Sequence, residues 1–370
     1  MSDTAAGGLL PDLSRRWLLW TMNVLRRRHA GEDATTAWAV FRFNWAVMAA
    51  LWVLFGLCLV FTDFRIEPIG YIVVLSTSAV YGFIGYANAR SAQRAKPWMF
   101  SFLTGMAQTT LASTVLASLS YIATAANLPL QDANLLALDR ALGFDFRDYL
   151  SYVNDRPWAV LTLAFGYRSI SWTICIIVVA LPLLGHYRRF AEFNLAISLT
   201  LALTCIVTMF VPALGVYHAL ELPPSAYANL IPQAYFDTAR EVPLVRDGTL
   251  RLLDTSHLAG IVTFPSFHAA AAILDGWALW SLRWLRPFNV LIHGAMLLST
   301  PIGGGHFLVD MIAGIAIAMS AILIARLVAL RLRERDASFL RGMVGHPASD
   351  LRDLTASVCG TSARAGSANA

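Results

Sequence analysis

The sequence predicts an all-α protein: a polytopic transmembrane helical bundle of about eight spans, with both termini cytoplasmic. Three observations carry this. Hydrophobic residues make up 57% of the 370 and charged residues only 14%, against about 25% charge in soluble domains. The apolar residues gather into long charge-free runs. Arginines crowd the ends of alternate runs.

The first run covers residues 43–62 and the second 68–89. A third lies within the charge-free stretch 97–131, a fourth covers 158–185 and contains Arg168, and a fifth covers 193–211. After a polar segment come a sixth at 265–283, a short seventh at 287–302 and an eighth at about 306–326. Each approaches the ~20 residues a crossing helix needs. Arg26, Arg27, Arg28 and Arg42 precede the first run. Arg90, Arg94 and Lys96 follow the second, Arg188 and Arg189 the fourth, Arg283 and Arg286 the sixth, and Arg331, Arg333 and Arg335 the eighth. These clusters fall on every second loop and on both termini, which the positive-inside bias puts in the cytoplasm.

Three regions follow. Residues 1–42 form a basic amphipathic segment. Within it, 11–30 mixes Leu and Trp with arginines, as a helix lying on anionic lipid does; a basic tail that only anchors topology reads the same way. Residues 43–335 form the transmembrane catalytic domain. Residues 336–370, rich in Ser, Gly and Ala, are expected to be a disordered cytoplasmic tail. Two long loops face outward. Residues 125–157 hold a mixed polar and apolar stretch suited to an interfacial helix. Residues 212–264 carry Pro223, Pro224 and a turn at Asp247-Gly248, and suit a cap over a site.

The formal net charge of +5 rests almost wholly on arginine, because Lys96 is the only lysine. The basic residues sit as membrane anchors, so nucleic acid is not an expected partner; membrane lipids are. Cys58, Cys175, Cys205 and Cys359 show no metal-ligand spacing and read as packing residues. No cofactor and no metal are expected. The first run starts too far along the chain for a cleavable signal peptide.

Two segments carry chemistry, and topology puts both at the outer face. The first is Phe264-Pro265-Ser266-Phe267-His268, the second Gly303-Gly304-Gly305-His306-Phe307-Leu308-Val309-Asp310. In the second, Gly304 and Gly305 allow a tight turn and close approach to a ligand, and a helix starting there aims free N–H groups at a phosphate. His306 and Asp310 are four apart and share a helix face, so the carboxylate can hold one ring nitrogen and direct the other outward. In the first, Ser266 offers a hydroxyl and His268 can protonate a leaving oxygen. The expected catalytic residues are His268, His306 and Asp310, with Ser266, Gly304 and Gly305 binding substrate. Arg168, inside an apolar run, needs a ligand or a partner; it is expected to bind phosphate or to pair with Asp275. Asp275 lies seven residues beyond His268 and is a candidate support for His268 or Arg168. Tyr167, Tyr217 and His218 are further candidates for the site lining.

Pro265-Ser266-Phe267-His268 and His306-Phe307-Leu308-Val309-Asp310 resemble the second and third signatures of the type 2 phosphatidic acid phosphatase superfamily. The resemblance covers roughly residues 130–325. It implies a six-helix catalytic core and a metal-free mechanism. His268 would be the acid, His306 the nucleophile that becomes transiently phosphorylated, Asp310 its orienting partner and Ser266 a phosphate ligand. The sequence departs from the family in two places. Ser299 and Thr300 stand where the third signature begins Ser-Arg, and the first signature has no match. These losses, with the stretch from Leu138-Asp139 to Leu142-Gly143, resemble the inositol phosphorylceramide synthase branch of inositolphosphotransferases. The expected activity is therefore that of a lipid phosphotransferase or phosphatase. It acts on a phosphorylated lipid at the outer leaflet, in a bacterial inner membrane with the site on the periplasmic side. The alternatives are a simple lipid phosphate phosphatase and, in a different class, a transporter using Arg168 and Asp275.

Overall fold

The computed structural model describes residues 10–90, 96–258 and 260–343, with side chains between 33 and 334. Its helices are α1 (Leu10–Phe61), α2 (Pro68–Arg90), α3 (Pro97–Thr124), α4 (Asp132–Ala141), α5 (Phe146–Asn154), α6 (Pro157–Leu183), α7 (Tyr187–Phe210), α8 (Val216–Ala219), α9 (Gln233–Arg246), α10 (Phe267–Leu279), α11 (Arg286–Gly304) and α12 (Leu308–Met343). Proline opens α2, α3 and α6, where its missing N–H costs nothing. Asp145 caps α5 by accepting from the Arg147 and Asp148 N–H groups. The 125–157 loop thus holds two short helices, α4 and α5, rather than one. α1 runs unbroken through residue 42, so no helix end marks that expected boundary. α12 continues into the segment expected to be a tail from residue 336, and residues 344–370 lie outside the described ones.

Every expected run holds a helix. Among the described residues, five segments are long and apolar enough to cross a membrane: Asp33–Phe61, Pro68–Arg90, Pro157–Leu183, Tyr187–Phe210 and Leu308–Glu334. α3, α10 and α11 fall short of that standard for a physical reason. α10 has only 13 residues. α3 buries Ser101, Thr104, Gln108, Ser118, Ser120 and Thr124, and α11 buries Asn289, His293, Ser299 and Thr300. Their inward faces are polar because they serve the bundle interior rather than lipid.

α7 is the central post. Phe190, Ala191, Phe193, Leu195 and Ala196 on it are fully buried, and it packs against α1, α3, α10 and α12. α10 and α12 pack together, and both bring small buried residues to the core: Ala270 and Ala278 on one, Ala318, Ala321 and Ala325 on the other. Small side chains bring helix backbones close, which is the main packing gain inside a bilayer. At Gly314 the approach is so close that an added Cβ would lie 2.2 Å from the Ser266 carbonyl oxygen. Polar side chains also join helices. Asn44 donates to Gln108 at 2.9 Å, Gln108 donates to the Phe41 carbonyl at 2.8 Å, and Thr109 donates to Asn194 at 2.9 Å.

The 212–264 segment folds over one end of the bundle, with α9 as its main element. A two-residue parallel pairing, β1 (Arg65–Ile66) with β2 (Leu252–Leu253), ties it to the connection between α1 and α2. The expected turn at Asp247-Gly248 is present, with Gly248 at φ +92° and the Thr249 N–H bonded to Asp247.

Candidate active site

The C-terminal end of α11 and the start of α12 build the first half of the site. α11 runs through Gly303 and Gly304 and stops at Gly305, whose φ of 67° and ψ of 30° are left-handed. His306 and Phe307 then form a short link before α12 begins at Leu308. The helix therefore starts two residues later than the sequence suggests. Asp310 reaches back across this link. Its Oδ2 accepts from the Phe307 N–H at 2.9 Å and lies 3.3 Å from His306 Nδ1. His306 is 4% exposed and Asp310 fully buried. A carboxylate on Nδ1 leaves Nε2 as the ring nitrogen free to act.

The start of α12 is not open to a phosphate. Asp139, on α4 and 1% exposed, accepts from the Leu308 N–H at 2.8 Å and the Val309 N–H at 3.0 Å. Those donors are satisfied within the protein, which corrects the expectation of an empty helix N-terminus there. Burial pushes the Asp139 carboxyl up from its ordinary range, and the two N–H bonds oppose that shift. Asp132, seven residues earlier on the same helix face, accepts from the Leu214 and Gly215 N–H groups. Gly215 is at φ +115°, and an added Cβ would sit 2.6 Å from the Gly305 carbonyl oxygen, which accepts from the Val216 N–H at 2.8 Å. One short helix thus braces the chain on both sides of His306.

The glycines serve packing. A Cβ on Gly304 would lie 2.4 Å from His306 Cδ2 and 3.0 Å from Tyr167 Oη, and one on Gly303 would enter the Tyr167 ring. Gly304 lines the cavity beside His306. Gly305 does not, because Tyr217 and Tyr235 close over it.

The start of α10 builds the second half. Ser266 caps the helix by accepting from the Ala269 N–H at 3.3 Å, and its own N–H donates to the Asp310 carbonyl at 3.0 Å. It is fully buried and does not line the cavity; in the structure it is a helix cap that joins the two halves. His268 follows in the first turn. It makes no hydrogen bond among the described residues, and its ring stacks on Tyr167 with centroids 4.0 Å apart and planes at 11°.

His268, His306, Tyr167 and Gly304 line one cavity of about 400 Å³. Its roof comes from Ala234, Asp237 and Thr238 of α9 and from Thr255, Leu258 and Ile261. Its walls run down α3, α6 and α7 through Ser120 to Ser113, Tyr167 to Ile174 and Cys205 to Ile197.

Arg168 is not in it. The side chain is exposed on the outside of α6, one residue from Tyr167 and about 100° around the helix. Nor does Arg168 meet Asp275, which is fully buried and accepts from Thr173 at 2.7 Å. Among the described residues, no hydrogen bond or ion pair joins Asp275 to Arg168 or to His268. Ser299 and Thr300 both turn back to the Met296 carbonyl, so no side chain there takes the place of the signature arginine. Tyr217 is buried, donating to the Ile302 carbonyl, and His218 is exposed. Among the described residues, no group of three or more His, Cys, Asp or Glu side chains is arranged to hold a metal ion.

The fold and site define a helical membrane protein with two histidines facing one roofed cavity, one of them held by a buried aspartate. The PAP2 superfamily matches residues 133–324, just over half of the chain, and the protein belongs to that superfamily. Membership makes it a phosphatase-type membrane enzyme. No curated protein and no solved structure matches the chain.

Proposed function

We propose that the protein is an integral-membrane lipid phosphotransferase or phosphatase that cleaves a phospholipid phosphoester at the outer leaflet through a phosphohistidine. The observation that carries this reading is the pair of histidines on one cavity, with His306 Nδ1 held by buried Asp310. His306 Nε2 attacks phosphorus, the bond from phosphorus to the leaving oxygen breaks, and His268 gives that oxygen a proton. In the second half, His268 takes the proton of an incoming hydroxyl as its oxygen displaces His306. Water as acceptor makes a phosphatase; a lipid or polyol hydroxyl makes a transferase, as in the inositolphosphotransferase branch that the motifs resemble. Asp310 favours the tautomer with the proton on Nδ1, which keeps the Nε2 lone pair available.

Purified protein supplied with labelled phospholipids, with and without ceramide, diacylglycerol or inositol, tests this. Released phosphate (from a phosphomonoester lipid) or phosphorylated head group (from a diester) and new lipids appear with wild type and vanish in His306→Ala. Unchanged turnover in that variant overturns the reading.

A further inference from the structure

When a nitrogen attacks phosphorus, negative charge must be held on the phosphoryl oxygens that neither attack nor leave. The side chain that the resemblance would assign to this task is missing. Thr300 stands in place of the signature arginine and turns back to the Met296 carbonyl. Neither lysine nor arginine lines the cavity among the described residues. The cation that the mechanism puts there, protonated His268, faces the leaving oxygen instead. A neutral donor beside His306 can do the remaining work.

Tyr167 is placed to be that donor. It lines the cavity, and its hydroxyl has no hydrogen-bond partner among the described residues. Two neighbours fix its direction. The ring stacks on His268 with centroids 4.0 Å apart, and it packs against Gly303, where an added Cβ would enter the ring. This aims the hydroxyl at Gly304. A Cβ on Gly304 would lie 3.0 Å from Tyr167 Oη and 2.7 Å from His306 Nε2. Both atoms therefore face one spot and are at most about 6 Å apart.

That separation suits one phosphoryl group. An attacking atom stands ~3–3.5 Å from the atom it attacks. A stabilising donor stands ~2.7–3.1 Å from the oxygen that gains charge. A nitrogen and a hydroxyl that grip the same phosphoryl group are then roughly 5–6 Å apart. The absent side chain of Gly304 leaves the space between them open.

We infer that Tyr167 donates a hydrogen bond to a non-bridging phosphoryl oxygen as His306 attacks, in place of the missing signature arginine. This rests on the function proposed above and deepens it. The bond from His306 Nε2 to phosphorus forms, the bond to the leaving oxygen breaks, and His268 supplies that oxygen's proton. Tyr167 keeps its own proton throughout, and its hydrogen bond strengthens as charge builds on the oxygen. One side chain then serves both histidines, with its ring against the proton carrier and its hydroxyl toward the phosphoryl group.

Tyr167→Phe separates the two roles, because it keeps the ring and removes the hydroxyl. The full chain in detergent is given a phospholipid and an analogue with a nitrophenolate leaving group, which departs without an acid. Orthovanadate, which mimics the crowded phosphorus of the transition state, is titrated as an inhibitor. Tyr167→Phe is expected to lower kcat on the order of tenfold to a hundredfold with KM little changed. The same factor is expected with both leaving groups, and vanadate inhibition should weaken in step. An unchanged kcat, or unchanged vanadate inhibition, overturns the inference. So does a loss that disappears with the nitrophenolate analogue, since Tyr167 would then act only through His268. His306→Ala keeps the two readings apart: turnover retained there sinks the proposed function, whereas turnover lost there with Tyr167→Phe at wild-type rates sinks this inference alone.

Discussion

The two histidines are held in opposite ways. His306 sits in a link whose surroundings are bonded on all sides: Asp310 holds its ring, Asp139 caps the next helix, and Asp132 fixes the strand of chain packed against Gly305. His268 rests against Tyr167 by stacking alone and has no hydrogen-bond partner among the described residues. The difference suits a division of labour. An attacking nitrogen gains from fixed direction, because misplacement by an ångström is costly. A group that first gives and then takes a proton gains from a free edge and some latitude.

Breaking the fixed half should cost most. His306→Ala should abolish phosphoryl release, a loss of about 10³-fold or more when measured as single-turnover lipid cleavage. Asp310→Asn keeps shape but weakens the hold on Nδ1, so kcat should fall by about 10²-fold with little change in KM. Asp139→Ala removes a helix cap and should destabilise the fold by about 1–2 kcal/mol, read as a lower unfolding midpoint in detergent. Tyr167→Leu removes the ring that supports His268 as well as the hydroxyl, and should lower kcat several-fold below the Tyr167→Phe level. The smallest effect concerns the roof. Hydrogen bonds from Ser256 to Asp254 and from Thr249 to Asp247 hold both carboxyls below the usual range. Depressed carboxyls stabilise the fold above the unfolded value of ~3.9, and that contribution fades as pH falls through the lower folded values. Hydrogen exchange across residues 247–256 should therefore rise only in strong acid.

What the sequence revealed was local. His306 and Asp310 are four residues apart, which predicts a meeting on one helix face; they do meet, but by Asp310 reaching back across the link that precedes α12. Charge-free runs located the helices, although α1 begins well before its run, at Leu10, and α12 continues well past its own, to Met343. The bracing pairs were not visible, because Asp139 and Leu308 are 169 residues apart and no period links them. Asp132 and Asp139 did share a face by their spacing of seven, but spacing does not say which backbone they cap. The rotation of α6 was equally hidden. Both its faces are apolar, so nothing in the run distinguished Tyr167, which reaches the cavity, from Arg168, which does not.

The account turns on His306 being the atom carrier and His268 the proton carrier. The most direct test is covalent trapping with a radiolabelled lipid analogue bearing a nitrophenolate leaving group, which departs without an acid. The account predicts an acid-labile phosphoprotein that forms in wild type, accumulates in His268→Ala because the second half lacks its base, and is absent in His306→Ala. Label retained on His306→Ala, or none on His268→Ala while nitrophenolate is released, would contradict it.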